Sequence, residues 1–248
     1  MGNVSTRGIV IKQTNYGEAD RMLTIFTEEY GIIKAAARGV RRMNSRRAAA
    51  AQFLCYCDFE LFMTSSEISS VNNISVVDAF FPAGENIVIL SLFTYISDII
   101  IAGMGYSNPD NRILKLFLNT LYMCAYKNFD VRMAKSVFEL RYMAYIGFLP
   151  MLGKCADCGN HDIAYFDLNC GTVCKECHGR HKDCIKISED VYHAVCYILA
   201  SEEKKMFSFR VSEKVLDELS KLTEKYTSFH LDRKFSTLDY FKSMLTNE

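Results

Sequence analysis

The chain has 248 residues, with 29 basic and 29 acidic side chains, and half of its residues are apolar. This composition excludes an intrinsically disordered chain and provides enough apolar material for one large domain or two to three small ones. Because the formal net charge is zero, any affinity for an anionic partner has to come from a local cluster of basic residues.

The N-terminal third of the chain has the pattern of a small β-barrel. In its clearest run Cys57 and Phe59 alternate with Asp58 and Glu60, so that one face is apolar and the other polar. Five such runs follow one another without a long intervening helix, which predicts five strands in a closed or nearly closed barrel. The runs are GIVIKQTNYG, RMLTIFTEEYG, GIIKAAARGV, AQFLCYCDFELFMTS and ISSVNNISVVDAF.

A strongly basic loop, ARGVRRMNSRR, follows the third predicted strand. From Lys34 to Arg47 there are six basic residues and no acidic one. Arginine presents a planar fork that matches phosphate, and small barrels bind single-stranded nucleic acid through such basic rims. Arg7 is a further basic candidate, and Tyr16 is a candidate for stacking on a base. The predicted DNA-binding residues are Lys12, Arg21, Lys34, Arg38, Arg41, Arg42, Arg46 and Arg47.

After Pro82 the apolar residues recur with helical spacing. The predicted helices cover residues 86–104, 109–127, 131–147, 188–201, 212–231 and 238–245. Asn108 is expected to cap the second helix, with Pro109 at its first position, and Asp130 is expected to cap the third. The first helix is almost long enough to span a membrane, but Asp98 interrupts it and no basic residue flanks it. We therefore interpret it as the core helix of a protein that does not enter a membrane.

A cysteine-rich insert separates the two helical blocks. Cys155 and Cys158 form one CxxC pair, Cys174 and Cys177 form another, and 15 residues lie between the pairs. Two such turns supply four thiolates for a tetrahedral Zn²⁺ site, so we predict one structural zinc ion per chain, although iron accepts the same ligands. Four nearby side chains do not fit this paired spacing and are interpreted as bystanders. They are Cys170, His178, His181 and Cys184.

No catalytic site is evident. The sequence contains no GxxxxGK[ST] phosphate loop, no strand-linked GxGxxG, no GxSxG and no HExxH. The N-terminal segment lacks the apolar core of a signal peptide, which favours an intracellular protein whose CxxC pairs bind metal rather than form disulfides. These observations favour a binding protein over an enzyme.

Several segments together resemble the RecO family of bacterial recombination mediators. They occur in the family's order over nearly the whole chain, and one departure is Cys170-Gly171 where the family often has two glycines. The segments are YGEADRMLTIFTEEYG, ARGVRR, FELRYMAYIGFLP, CADCG and FDLNCGTVCKEC.

The resemblance implies an α+β multidomain protein: an N-terminal OB-fold β-barrel, then a helical domain that carries a zinc-ribbon-like insert. The implied segments are an OB-fold domain at 1–80, the first helical part at 81–150, the zinc-binding insert at 151–185 and the last helical part at 186–248. The implied function is a cytoplasmic, nucleoid-associated DNA repair protein that binds single- and double-stranded DNA and anneals strands without ATP. With RecR, such a protein loads RecA onto DNA coated by single-strand binding protein (SSB).

The resemblance also implies that the helical domain binds the acidic C-terminal tail of SSB. Candidate cations for that tail are Arg112, Arg132, Lys135 and Arg141. The residues themselves leave two other functions open: a protein-interaction scaffold whose basic loop contacts an acidic partner, and an RNA-binding zinc-ribbon protein. An undetected metal-dependent enzyme is a further alternative.

Overall fold

The computed structural model describes residues 2–45, 47–64 and 68–246, which divide into two compact units. The first unit comprises the chain up to Asn128 together with the C-terminal segment from Ser236, and the second comprises Phe129–Phe235. This division rests on compactness alone. The predicted division of the chain into four domain segments, with boundaries after residues 80, 150 and 185, therefore remains a prediction.

A closed five-stranded barrel opens the first unit, as the apolar runs predict. Its strands are β1 (Gly2–Tyr16), β2 (Asp20–Thr27), β3 (Gly31–Ala37), β4 (Tyr56–Met63) and β5 (Ile68–Asp78). They are ordered β1-β2-β3-β5-β4, and β4 pairs back onto β1. The β3–β5 pair is parallel and the other pairs are antiparallel. This five-stranded Greek-key barrel is an OB-fold, which confirms the α+β fold class with an N-terminal OB-fold barrel.

The barrel interior follows the alternation read from the sequence. In β4, Cys57, Phe59 and Leu61 are buried, whereas Asp58 and Glu60 are exposed. The same interior holds apolar side chains from the other strands, so the barrel is filled by a single apolar cluster. Successive side chains of a strand point to opposite faces, and a one-residue shift of register would place these carboxylates in the core.

Helices α1 (Phe81–Glu85), α2 (Ile87–Met104), α3 (Asn111–Lys127) and α7 (Ser236–Leu245) complete the first unit. Helix α2 passes the length and hydropathy test for a membrane span, but most of its large apolar side chains are buried within the protein. It packs against α7, where Thr237 donates a hydrogen bond to Asp98 at 2.9 Å. The charge that interrupts the apolar run therefore has a partner inside the fold, which favours the core-helix interpretation.

Helix α2 is capped by Asn86. The side-chain oxygen of Asn86 accepts hydrogen bonds from the N–H groups of Val88 at 2.9 Å and Ile89 at 3.0 Å. We expect Asn86→Ala to lower the free energy of unfolding by about 1 kcal/mol, because two N–H groups lose their acceptor. Urea unfolding followed by circular dichroism measures this. Asn111→Ala is the matched control, since exposed Asn111 is the first residue of α3 and not its cap; equal midpoints for the two variants would contradict the cap.

Helix α3 begins two residues later than predicted. It starts at Asn111, and its N-terminal cap is Asp110, not Asn108. The carboxylate of Asp110 accepts from the backbone N–H of Arg112 at 2.9 Å and pairs with the Arg112 guanidinium at 2.6 Å. The Asn108-Pro109 prediction was wrong because Asp110 offers a charged acceptor that satisfies the helix end and holds a cation as well.

The second unit contains three helices and a small sheet. Its elements are α4 (Val131–Tyr145), β6 (Ile163–Asp167), β7 (Gly171–Cys174), β8 (Cys184–Lys186), α5 (Glu189–Ala200) and α6 (Glu213–His230). The three helices pack on one another, and Asp130 caps α4 as predicted, through the N–H groups of Arg132 and Met133. The sheet has the order β7-β6-β8. Gly171 begins β7 with a φ of +101°, where a Cβ atom would overlap the Met151 backbone, so the turn requires glycine at this position.

Candidate nucleic-acid interface and metal centre

The basic loop lies at one end of the barrel, where the chain leaves β3. Gly39 turns the backbone with a φ of +69°, and its N–H donates to the carboxylate of Asp20 at 2.7 Å. The N–H of Arg41 donates to the carbonyl of Ala19 at 2.9 Å. These two bonds attach the loop to the turn between β1 and β2, which is one of the rims that OB-folds use for binding.

The arginines of this loop reach solvent. Arg38, Arg41 and Arg42 are exposed, and Arg47 is half-buried. The Arg41 guanidinium donates to the carbonyl of Gly17 at 3.1 Å. The Arg47 guanidinium donates to two carbonyls, those of Asn72 and Arg38, both at 3.1 Å. A carbonyl acceptor orients a guanidinium without cancelling its charge, so these bonds leave the loop positive.

Within the described residues, none of the predicted DNA-binding cations lies within 4.0 Å of a carboxylate oxygen. Lys34 lies 4.6 Å from the centre of the Tyr106 ring, Arg21 donates to a backbone carbonyl, and Lys12 is exposed. Arg46 lies outside the described residues. The described part of the loop therefore carries positive charge without an ion-pair partner.

Arg7 differs from the loop arginines. Its Nε donates to Asp58 at 2.7 Å, because β1 and β4 pair these two residues directly. The hydrogen bond and the charge of Asp58 raise the pKa of Arg7. Arg7 therefore does not add to the unopposed charge. Tyr16, by contrast, is 55% exposed, next to the turn that holds Arg41.

The helix cations proposed for an acidic tail are already engaged. Arg132 pairs with Glu213 at 2.5 Å and with Asp217 at 3.0 Å. Lys135 is 1% exposed and pairs with Glu139 at 2.8 Å and Glu224 at 3.2 Å. Arg112 pairs with Asp110, and Arg141 is buried and donates to the backbone of Ser201. Lys135 and Arg141 are therefore buried charges and not solvated ones.

The four predicted metal ligands converge in the second unit. The Sγ atoms of Cys155, Cys158, Cys174 and Cys177 all lie within 4.8 Å of one another, and those of Cys158 and Cys174 are 3.7 Å apart. A tetrahedral zinc site with Zn–S bonds of about 2.3 Å requires S···S separations of about 3.8 Å. Gly159 makes the turn after Cys158 with a φ of +76°. The cluster therefore has a suitable size for one Zn²⁺ ion.

The backbone around Cys155 favours a thiolate at this residue. Burial raises the pKa of Cys155, but N–H groups of Cys158, Cys174 and Asp157 directed at its sulfur lower it to about 6 on balance. N–H donors of this kind orient and stabilise thiolate ligands. All four ligands are supplied by the protein, which is typical of structural sites and not of catalytic ones.

Two of the predicted bystanders join a second group. The ligand atoms of Asp167, Cys170 and His181 lie within 4.8 Å of one another. His178 is not part of it, since its ring stacks on Tyr165 with centroids 4.1 Å apart. Asp167 was missed because a search for His and Cys spacing passes over a carboxylate.

The chain has an OB-fold barrel with a basic rim and a helical unit that carries a four-cysteine insert. These features define a class of β-barrel protein whose insert could hold a metal ion. Two family models match the chain: "Recombination protein O N terminal" over residues 1–80 and "Recombination protein O C terminal" over residues 84–239. The chain belongs to the RecO family, and this membership gives it a role in DNA repair and recombination.

Curated relatives are similar to this chain over nearly its whole length. A protein of Acetivibrio thermocellus is 37% identical over 247 residues, covering 98% of each chain. One of Caldicellulosiruptor saccharolyticus is 31% identical, covering 96% of this chain and 98% of its own. One of Alkaliphilus metalliredigens is 30% identical, covering 97% and 99%. Each bears the name "DNA repair protein RecO".

Proposed function

We propose that this protein is a DNA-binding recombination mediator. It binds single- and double-stranded DNA, anneals complementary strands without ATP and, together with RecR, loads RecA onto single-stranded DNA coated by SSB. The observation that carries the proposal is the exposed cluster of Arg38, Arg41 and Arg42 on the barrel rim, which no described carboxylate neutralises. We place this activity in the bacterial cytoplasm, at the nucleoid.

The chemistry of annealing suits such a rim. Two complementary strands repel each other because both are polyanions, and basic side chains that bind phosphates displace condensed counterions from both. Arginine binds phosphate through two parallel hydrogen bonds, and this contact does not depend on base sequence. A protein that brings the strands together in this way consumes no nucleotide, in agreement with the lack of a phosphate-binding loop in the sequence.

Lys12, Arg21 and Lys34 extend the proposed interface beyond the loop, and Arg46 and Arg47 belong to it by sequence. The barrel cations that face solvent make the first contacts with phosphate. Arg47, held by two carbonyls, fixes the loop backbone and contributes its charge at longer range. Tyr16 offers a ring on which a base can stack beside the loop.

We further propose that Cys155, Cys158, Cys174 and Cys177 hold one structural Zn²⁺ ion. The bound ion supplies cross-linking of two chain turns rather than reactivity, because its four ligands come from the protein. The insert has only a small apolar cluster, formed largely by the same cysteines and Val173. Its fold therefore depends on the metal more than the barrel does.

Strand annealing tests the functional proposal. Two complementary oligonucleotides, one carrying a fluorophore and the other a quencher, should anneal faster with the protein than without it, in the absence of ATP. We expect acceleration of naked strands, and of SSB-coated strands as well. A protein-interaction scaffold would leave the annealing rate unchanged, and tighter binding of a matched RNA in competition with DNA would indicate an RNA-binding protein. Either result would overturn the proposal.

A further inference from the structure

The insert contains four ligand pairs, not two. Between and after the CxxC pairs lie Asp167 with Cys170 and His181 with Cys184, each again separated by two residues. In chain order, the first and third pairs are the cysteine pairs that form the four-cysteine cluster, and the second and fourth are the two additional pairs. We propose that the second and fourth pairs form a second metal site, which takes a divalent cation with the preferences of Zn²⁺.

Three of the four side chains meet closely. The Nδ1 atom of His181 lies 3.5 Å from Asp167 Oδ2 and 3.9 Å from Cys170 Sγ. Cys170 Sγ lies 3.3 Å from Asp167 Oδ1. Cys184 is opposite Asp167 in the register of β6 and β8, and its Sγ lies 3.9 Å from Asp167 Oδ2. One thiol, one imidazole and one carboxylate are thus brought together, and the β6–β8 register places a second thiol beside that carboxylate.

These distances match the edges of a coordination tetrahedron. With bonds of about 2.0 Å to nitrogen and oxygen and about 2.3 Å to sulfur, a tetrahedral zinc ion separates unlike ligands by about 3.3 to 3.6 Å. The two edges between the proposed metal-binding atoms, from His181 Nδ1 to Asp167 Oδ2 and to Cys170 Sγ, are 3.5 and 3.9 Å. The thiol of Cys184, which lies beside Asp167, supplies the fourth ligand of the proposed site. Two thiolates with nitrogen and oxygen ligands are typical of zinc and not of magnesium or calcium.

The supporting hydrogen bonds have the arrangement of an outer ligand shell. The Nε2 atom of His181 lies 3.1 Å from Asp157, and metal-binding histidines commonly direct their second nitrogen at such a carboxylate. Asp167 Oδ1 accepts from the N–H groups of Asn169 at 2.9 Å and Cys170 at 3.0 Å. The backbone therefore holds one oxygen of Asp167 and leaves Oδ2 for the metal. Asp157 also lies between Cys155 and Cys158, so it connects the two sites.

A simple ion pair explains the cluster less well. Asp167 is 1% exposed, and a buried carboxylate needs a compensating positive charge. One histidine shared between Asp157 and Asp167 supplies at most one positive charge to Asp167, and the two thiols add only hydrogen bonds to that carboxylate, at 3.3 and 3.9 Å. A divalent cation compensates both the carboxylate and the thiolates. This proposal does not depend on DNA binding, so the two can fail separately.

Metal counting tests the site on the full chain. The protein is purified from zinc-supplemented cells, passed through a desalting column, and its zinc is measured by mass spectrometry against protein concentration. We expect about two zinc ions per chain, one for each closed set of ligands. Exchange into ¹¹³Cd²⁺ should then give two cadmium resonances, of which the four-thiolate site lies further downfield than the site with two thiolates.

Variants assign the two ions. Cys170→Ser with Cys184→Ser should lose one zinc ion and the upfield cadmium resonance, whereas Cys124→Ser with Cys196→Ser, which alters two helix thiols, should lose neither. Wild-type protein with one zinc ion and a single cadmium resonance would overturn the proposal without any variant having to fold. A Cys170–Cys184 disulfide, detected by thiol counting in denaturant before and after reduction, would overturn it as well.

Discussion

Replacing Arg38, Arg41 and Arg42 with glutamine is expected to weaken binding of single-stranded DNA about 100-fold at 0.1 M salt. Each phosphate contact contributes about 0.7 to the slope of log affinity against log salt. Between 1 M and 0.1 M salt, one contact therefore raises the affinity about fivefold, and the loss of three contacts lowers it about 100-fold. Three contacts also flatten the slope of log affinity against log salt by about 2. Fluorescence anisotropy with a labelled oligonucleotide, titrated at four or more salt concentrations, measures both quantities. The loss should be similar for oligonucleotides of different sequence, because phosphate contacts carry no sequence information.

Two controls separate local charge from net charge. Lys204, Arg210 and Lys225 are exposed residues of the other compact unit, and their replacement by glutamine makes the same change of three charges. Arg7→Gln removes a barrel arginine that is already paired with Asp58. Both controls should change the affinity less than threefold, since neither removes a proposed phosphate contact. If the loop variant kept the affinity and salt slope of the wild type, or if the distant variant lost as much, the rim would not be the interface.

Much of the fold could be predicted because it is encoded over short distances. The alternation of Cys57, Asp58, Phe59 and Glu60 specifies a strand with one buried face, and helical spacing specifies the helices. The start of α3 was predicted two residues too early, because both Asn108 and Asp110 can cap a helix and the sequence does not show which one does. The parallel β3–β5 pair closes the barrel and joins residues about 34 positions apart. No local sequence pattern encodes such a pairing, so the barrel was predicted from the number of strands and from the family resemblance.

The candidate site could be predicted in part, for a related reason. Four cysteines at a fixed spacing identify their own cluster, and a run of arginines without acids identifies the basic loop. Long-range pairing gives no such signal. Neither the ion pair between Arg7 and Asp58 nor the burial of Lys135 beside Glu139 and Glu224 can be read along the chain, because both depend on elements far apart in sequence.

Loss of the four-cysteine site is expected to unfold the insert and leave the barrel folded. Apparent binding energies of structural zinc reach about 10 kcal/mol or more in small zinc domains. In Cys174→Ser, the amides of β6 and β7 should therefore exchange with deuterium at least about 1,000-fold faster, since each 1.4 kcal/mol of lost local stability is about a tenfold change. Hydrogen exchange followed by mass spectrometry resolves the two regions. Treatment of the wild type with a strong zinc chelator should reproduce the same pattern.

The barrel provides the internal reference for this experiment. Its apolar cluster is separate from the small cluster around the cysteines, so the amides of β1 to β4 should keep their wild-type exchange in the variant. Cys196→Ser is the matched control, because Cys196 is a half-buried helix thiol outside both ligand groups. Unchanged exchange in β6 and β7 after loss of the metal would mean that packing alone holds the insert. Faster exchange throughout both units would mean that the metal stabilises the whole protein and not one segment.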